Sequence, residues 1–384
     1  MNLSLSYNNI RLHRIAVSVF FFVAGLTFAS WASRIPDIKT KLDLTEAGLG
    51  AVLFALPVGQ LVSLPISGWL ISRFGSRQLV IGAAILYPLT LILLALAATS
   101  WQLIAGLFFF GLWANLVNIA MNTQAVGVEK LYGRSIMASF HGLWSLAGFT
   151  GAAIGSLFVS ADISPLMHFS IICALTGLLV FTFYKNTLPT SFESNGSSQP
   201  LFIKPDKRIL ILGLIAFCCM VCEGAMADWS GVYFQKVVQT PATYTAIGYV
   251  AFTGMMATGR FLGDYLVTRF GVKHILQVSG ILIATGLMMA VLFPYAITAT
   301  AGCLLVGLGV SCVVPVIFGL AGKSTNMSPG LALAAVSTIS FLGFLIGPPL
   351  IGLIAQASSL RWSFTIIAVL GFGTTLLAGK VKTA

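Results

Sequence analysis

Glu223 sits deep in an apolar stretch, 15 residues beyond Arg208. At ~1.5 Å per helical residue that is roughly 22 Å along a helix crossing a ~30 Å hydrocarbon core. An ionisable group there costs roughly 2.5–3.5 kcal/mol on insertion scales, so it needs a use. A carboxyl in such a place can exchange a proton with either side of a membrane or hold a polar substrate; the other use is a fixed ion pair or hydrogen bond to a neighbouring helix. Asp228 lies five residues on, about 140° around the same helix, so the two acids cannot share a face. Beside Trp229 and near the far end of the segment, Asp228 suits an outer gate contact with Arg34 or Lys236, or else a solvated helix end.

Further polar groups occupy apolar segments. Gly111, Asn115, Asn118 and Asn122 recur at helical spacing and form one stripe. Their amides both donate and accept, which suits a hydroxylated or amide-bearing substrate, and equally suits hydrogen bonding between helices. Arg260 has Asp264 one turn away, close enough for an ion pair that would neutralise both. Free of Asp264, Arg260 could bind an anionic substrate or set the charge state of Glu223. His141 shares a stripe with Ser145, Gly148 and Gly155. It could relay protons, although its place near a segment end favours interface hydrogen bonding. Trp113 and Trp144 could stack on a sugar ring or pack in the core.

No enzyme chemistry emerges. The four histidines, His13, His141, His168 and His274, lack metal-ligand spacing, and no phosphate-cradling loop with a following lysine is present, so neither a metal, another cofactor nor ATP-driven work is expected. Cys219-Met220-Val221-Cys222 has redox spacing but no second pair or nearby histidine. With the other cysteines it reads as small apolar packing, and no disulfide is expected.

The elements that must position these groups are membrane helices. Apolar residues form 58% of the chain and charged residues 8%. Stretches of roughly 20 apolar residues number twelve, the fourth at 101–125, the fifth at 136–160, the seventh at 208–235, the eighth at 243–267 and the tenth at 296–321. The net charge of +11 is not a nucleic-acid footprint. With the N-terminus inside, most Lys and Arg fall in cytoplasmic connections, which places both termini in the cytoplasm of a multi-pass protein. The first segment lacks a cleavage signal and is expected to stay as the first helix.

The chain is also written twice. Arg73-Phe74-Gly75-Ser76-Arg77 returns 196 positions later as Arg269-Phe270-Gly271-Val272-Lys273, and the same offset carries Gly106, Gly111 and Gly151 onto Gly302, Gly307 and Gly347. Parallel repeats of this kind are a transporter signature. Residues 185–207, rich in proline and polar residues, read as a cytoplasmic linker between a six-helix half at 1–184 and another at 208–384.

Twelve helices, a central loop and the Arg-Phe-Gly string after the second and eighth segments resemble the major facilitator superfamily over essentially the whole chain. Ser30-Trp31-Ala32-Ser33-Arg34, Glu223-Gly224-Ala225-Met226-Ala227-Asp228-Trp229 and Gly343-Phe344-Leu345-Ile346-Gly347-Pro348-Pro349 resemble, more narrowly, the bacterial YbjJ-like inner-membrane proteins, related to fucose-type sugar permeases. The resemblance implies an all-α integral membrane fold of two pseudo-symmetric six-helix bundles, a monomer in the bacterial inner membrane, and a cavity lined by the first, fourth, seventh and tenth helices. It also implies a cytoplasmic gate motif, Gly-x-x-x-Asp-Arg-x-Gly-x-Arg/Lys. Gly68, Arg73, Gly75 and Arg77 match it, with Ser72 at the acidic position; Arg269, Gly271 and Lys273 match in the second half, with Thr268 at the acidic position and Asp264 where the first glycine belongs. A latch through Asp264 would replace the missing acids.

The arginine and Gly-Pro pair that drug/proton antiporters of the superfamily carry in the fourth and fifth helices are missing here, where Leu103-Ile104-Ala105-Gly106 and Gly148-Phe149-Thr150-Gly151 stand. The expected function is therefore secondary transport of a small polar metabolite, a sugar or sugar derivative first, coupled to protons and working by alternating access in the lipid bilayer. Efflux of a drug or amphipathic metabolite is the alternative, and a sensor or lipid-handling protein on the same scaffold is a third.

Overall fold

The computed structural model of the chain describes residues 7–133, 136–189, 206–322 and 329–381. Its long elements are helices: α1 (Tyr7–Ala32), α2 (Ile35–Lys41), α3 (Glu46–Leu53), α4 (Ala55–Leu96), α5 (Ser100–Tyr132), α6 (Met137–Ser160), α7 (Pro165–Phe183), α8 (Lys207–Tyr233), α9 (Ile247–Phe270), α10 (Val272–Leu292), α11 (Ala296–Ser311), α12 (Val313–Ala321), α13 (Pro329–Ala357) and α14 (Leu360–Ala378). No strand occurs among the described residues.

Ten helical runs among the described residues are long and apolar enough to cross a bilayer. One of them, Glu46–Leu96, has 51 residues, about twice the ~20 that a hydrocarbon core needs. It crosses twice, because α4 breaks at Gly75. The 24-residue α9 is long enough too, but Arg260, Asp264 and Arg269 make it less apolar. Counting both halves of the long run and adding α9 recovers the twelve crossings expected from hydropathy.

Both Arg-Phe-Gly strings bend the chain in the same way. Gly75 has φ 81° and ψ 159°, and Gly271 has φ 80° and ψ 153°. This region is essentially closed to residues with a Cβ, at a cost of about 1–3 kcal/mol. Among the described residues nothing lies within 4 Å of a Cβ built on Gly271, so the strain there is conformational. Gly271→Ala is expected to lower stability by about that amount, read as an earlier melting of the purified protein; an unchanged melting temperature would contradict it.

The tenth crossing, expected as one helix over 296–321, is broken at Cys312 into α11 and α12. Pro315 explains the break: it has no N–H to donate to the Ser311 carbonyl, and its ring crowds that oxygen. Ser311 Oγ turns back to donate to the Leu308 carbonyl at 2.6 Å.

Packing divides the chain into two units. The first holds the chain up to Arg34 and resumes at Ala55. Here α1 packs on α6, with α5 and α7 beside it, and α4 packs along α5 and α7. Polar side chains tie its loop end. Gln124 donates to Ser76 Oγ at 2.8 Å and accepts from the Leu188 N–H at 2.7 Å, while Glu129 Oε2 accepts from the N–H groups of Ile136 and Met137, capping α6. Of the linker expected at 185–207, residues 190–205 lie outside the described residues. Beyond them Asp206 caps α8, accepting from the Ile209 N–H at 2.7 Å.

The second unit joins the C-terminal half to Ile35–Phe54. Its α8 packs on α13 and α14, α9 on α11, and α10 on α11 and α14. The Ile35–Phe54 strap is held at two places. Gly50 and Gly352 meet so closely that a Cβ on Gly352 would lie 2.6 Å from the Glu46 carbonyl oxygen, and one on Gly50 would lie 2.7 Å from that of Pro348. Glu46 also pairs with Lys39 at 3.4 Å and with Lys236 at 3.3 Å. Burial draws the Lys39 ammonium below the ordinary lysine value, against the pull of Glu46, and it donates to the Leu44 carbonyl at 2.6 Å.

The repeat is visible in the packing of each unit. In the first, a Cβ on Gly111 would lie 2.0 Å from the Leu56 carbonyl oxygen; in the second, one on Gly307 would lie 2.2 Å from that of Phe252. Leu56 and Phe252 are themselves 196 positions apart, so the same glycine admits the same carbonyl in both halves.

Candidate functional site

In the second unit, α8 and α9 bring Glu223 and Arg260 together at 3.6 Å. Of the two partners open to Arg260 in the sequence, Glu223 is the one seen; Asp264 stands on α9, but its side chain lies outside the described residues. Glu223 is 8% exposed, and its second oxygen, Oε2, is buried without a hydrogen-bond partner among the described residues. A buried acceptor without a donor is costly, about 1–3 kcal/mol and more if charged. Such an oxygen can take a proton, a water or a substrate donor.

Tyr249, which does not stand out in the sequence, lies within electrostatic reach of both Glu223 and Asp228 and is buried. Tyr249, Thr253, Met256 and Arg260 follow one another at +4, +3 and +4 on α9, and that stripe was the signal for it. Asp228 is half-buried on α8. The two cations expected to face it have partners of their own. Lys236 pairs with Glu46. Arg34, 2% exposed, donates through Nε to His168 Nδ1 at 3.1 Å and through an amino group to the Ile163 carbonyl at 2.7 Å. His168 is fully buried and packs edge-on to Phe158, so Arg34 is built into the end of its own unit.

The asparagine stripe divides. Asn115 donates to Ser63 Oγ at 2.6 Å and to the Gln60 carbonyl at 3.2 Å, so it is used in joining α5 to α4. Asn122 donates to both oxygens of Asn118, the carbonyl at 2.7 Å and Oδ1 at 2.9 Å. That orders a pair of amides of which Asn118 is exposed on the first unit. Trp144 is half-buried, 6.5 Å from the Phe28 ring. His141 is exposed one turn into α6, edge-on to Phe21 at 5.3 Å, and Ser145 donates to its carbonyl.

At the string loops the arginines lie against aromatic rings in or just before their own strings. Arg73 stands 5.5 Å from the Trp69 ring and 5.7 Å from Phe74; Arg269 stands 5.7 Å from Phe270 and donates to the Tyr265 hydroxyl at 2.7 Å. Trp69 and Tyr265 are another pair at the repeat offset. Arg77 reaches the Lys185 carbonyl at 3.4 Å, and Lys273 is exposed. Among the described residues nothing lies within 4 Å of a Cβ added at Gly68, so no close contact with them requires glycine there.

The sequence profile described as Major Facilitator Superfamily matches residues 16–329. The chain belongs to the Major Facilitator Superfamily. It is thus a multi-pass membrane transporter of that kind. An uncharacterized MFS-type transporter of Yersinia pestis is 34% identical over 93% of this chain and 92% of its own length. Among solved structures, a mutant form of the nucleoside transporter NupG covers 96% of this chain and 99% of its own, with a TM-score of 0.79 at 12% identity. A D-xylose-proton symporter covers 98% of each chain, with a TM-score of 0.78 at 15% identity. At these identities the solved structures share the fold and nothing finer. No group of three or more metal-ligating side chains occurs among the described residues of this facilitator.

Proposed function

We propose that the protein is a proton-coupled secondary transporter that moves a small polar metabolite, a sugar or sugar derivative, across the bacterial inner membrane by alternating access. The observation that carries the reading is the buried Glu223 oxygen that, among the described residues, has no donor beside Arg260. Protonation of Glu223 removes its charge and with it most of the hold on Arg260, so one proton changes the charge that a bound substrate meets. Tyr249, buried on the α9 stripe that carries Arg260, adds a hydroxyl to this reading. Asn118 and Asn122, already oriented by each other, provide amide donors and acceptors, and Trp144 a face for a sugar ring.

The gate readings belong with this proposal. The cytoplasmic gate would use the loops around Arg73 and Arg269, with both termini on that side, and the outer gate Arg34 and Asp228. Placement with the YbjJ-like proteins, a monomeric state and the choice of protons are parts of the same reading.

Thermal melting of the purified protein against a panel of monosaccharides, sugar acids, nucleosides and cationic drugs tests the substrate class, because a ligand of the folded state raises its stability. A sugar or nucleoside is expected to raise the midpoint, and Asn118→Ala to weaken that shift. A rise with cationic drugs alone would overturn the sugar reading in favour of efflux.

A further inference from the structure

A cavity of about 380 Å³ lies away from these groups, at the first turns of α1 in the first unit. Arg11 and Arg14 stand at one end of it with Tyr132, the last residue of α5. Ile15, Val19 and Phe22 continue along its wall. From Arg11 to Phe22 the wall follows one helix for eleven residues, roughly 16 Å. It is therefore a groove running down the helix from a basic end to an apolar one. Among the described residues, no acidic one lines it.

The basic end is organised. Arg14 stands 5.3 Å from the centre of the Tyr132 ring, which holds its guanidinium at the mouth while Arg11 extends into the open. His13, between them in sequence, does not line the groove and lies within 2.6 Å of the Asn186 carbonyl. Two guanidinium groups with no acid in the lining suit a phosphate, which takes paired N–H donors. The apolar wall below suits a hydrocarbon chain. A free anion would use only the first feature and a neutral sugar neither.

We propose that this groove binds one acidic phospholipid, its phosphate on Arg11 and Arg14 and an acyl chain along Ile15, Val19 and Phe22. Basic pockets between helix ends take lipid headgroups by this chemistry. The site is independent of the transport reading, since none of its residues contributes to that proposal.

The test is the melting of purified full-length protein in a neutral detergent with added phosphatidylglycerol, phosphatidylcholine or inorganic phosphate. Phosphatidylglycerol is expected to raise the midpoint by several degrees and the other two to leave it unchanged. The double variant Arg11→Gln, Arg14→Gln should lose that rise, whereas Lys207→Gln with Arg208→Gln, the same charge loss at another helix end, should keep it. Val19→Trp keeps the arginines and fills the groove, and should also lose the rise. An equal rise with phosphatidylcholine, an equal rise with inorganic phosphate, or a rise that survives in both groove variants would overturn the proposal. If a groove variant does not fold, the three-way contrast on the unaltered protein still decides.

Discussion

Arg260→Leu is expected to cost about 3–5 kcal/mol of stability and to abolish transport, and adding Glu223→Gln should return most of the stability without returning transport. The two side chains are only 15% and 10% exposed, and they stand 3.6 Å apart. Removing the cation leaves a carboxylate inside a membrane helix whose second oxygen already has no donor among the described residues. Removing both charges takes away the stranded ion; a buried pair replaced whole is often neutral in stability. Melting of the single and double variants in detergent reads the first part, and transport of a substrate found in the panel reads the second. Equal stability of the single variant and the unaltered protein would show that Glu223 does not depend on Arg260.

Adding one methyl group at Gly111 or Gly307 should destabilise the fold almost as severely. The new Cβ would lie 2.0 Å from the Leu56 carbonyl oxygen in one unit and 2.2 Å from that of Phe252 in the other. A backbone carbonyl cannot turn aside as a side chain can, so two helices must separate. The loss should reach the upper end of the ~1–3 kcal/mol typical of overpacking. Gly148→Ala and Gly347→Ala are the controls, since among the described residues nothing lies within 4 Å of a Cβ at either position. They should melt at or slightly above the unaltered protein, because alanine is the better helix former by about 1 kcal/mol. If all four alanine variants melt together, the helices are not held at the distances described.

These two predictions draw on different parts of the sequence, and the difference shows what a single sequence can reveal. Glu223 announced itself because a carboxyl far inside an apolar run has no cheap explanation. The repeat fixed the partners of Gly111 and Gly307 in common, since residues 196 apart meet equivalent neighbours. Pro315 stood in view as a reason to break the tenth crossing, but an average over twenty apolar residues does not register one missing N–H.

Other features were illegible for a physical reason. Helical spacing reports neighbours three or four residues apart. It says nothing of Arg34 meeting His168, 134 residues away, or of Asn115 giving its amide to Ser63, 52 residues away. The strap from Ile35 to Phe54 reads as a loop and the start of a helix, and its place in the second unit depends on Gly50 lying against Gly352 and on Glu46 meeting Lys236. Tyr249 was missed because a tyrosine in an apolar helix has an ordinary packing explanation; its position on the stripe of Arg260 becomes meaningful only once Glu223 is placed beside that arginine.

Transport into proteoliposomes with and without an imposed pH gradient tests the central claim most directly, with the unaltered protein beside Glu223→Gln. Glutamine can still accept from Arg260 but cannot carry the proton. The account predicts that the gradient drives accumulation by the unaltered protein, and that the variant exchanges substrate across the membrane but no longer responds to the gradient. Accumulation that ignores the gradient, together with a variant that transports as the unaltered protein does, would contradict it.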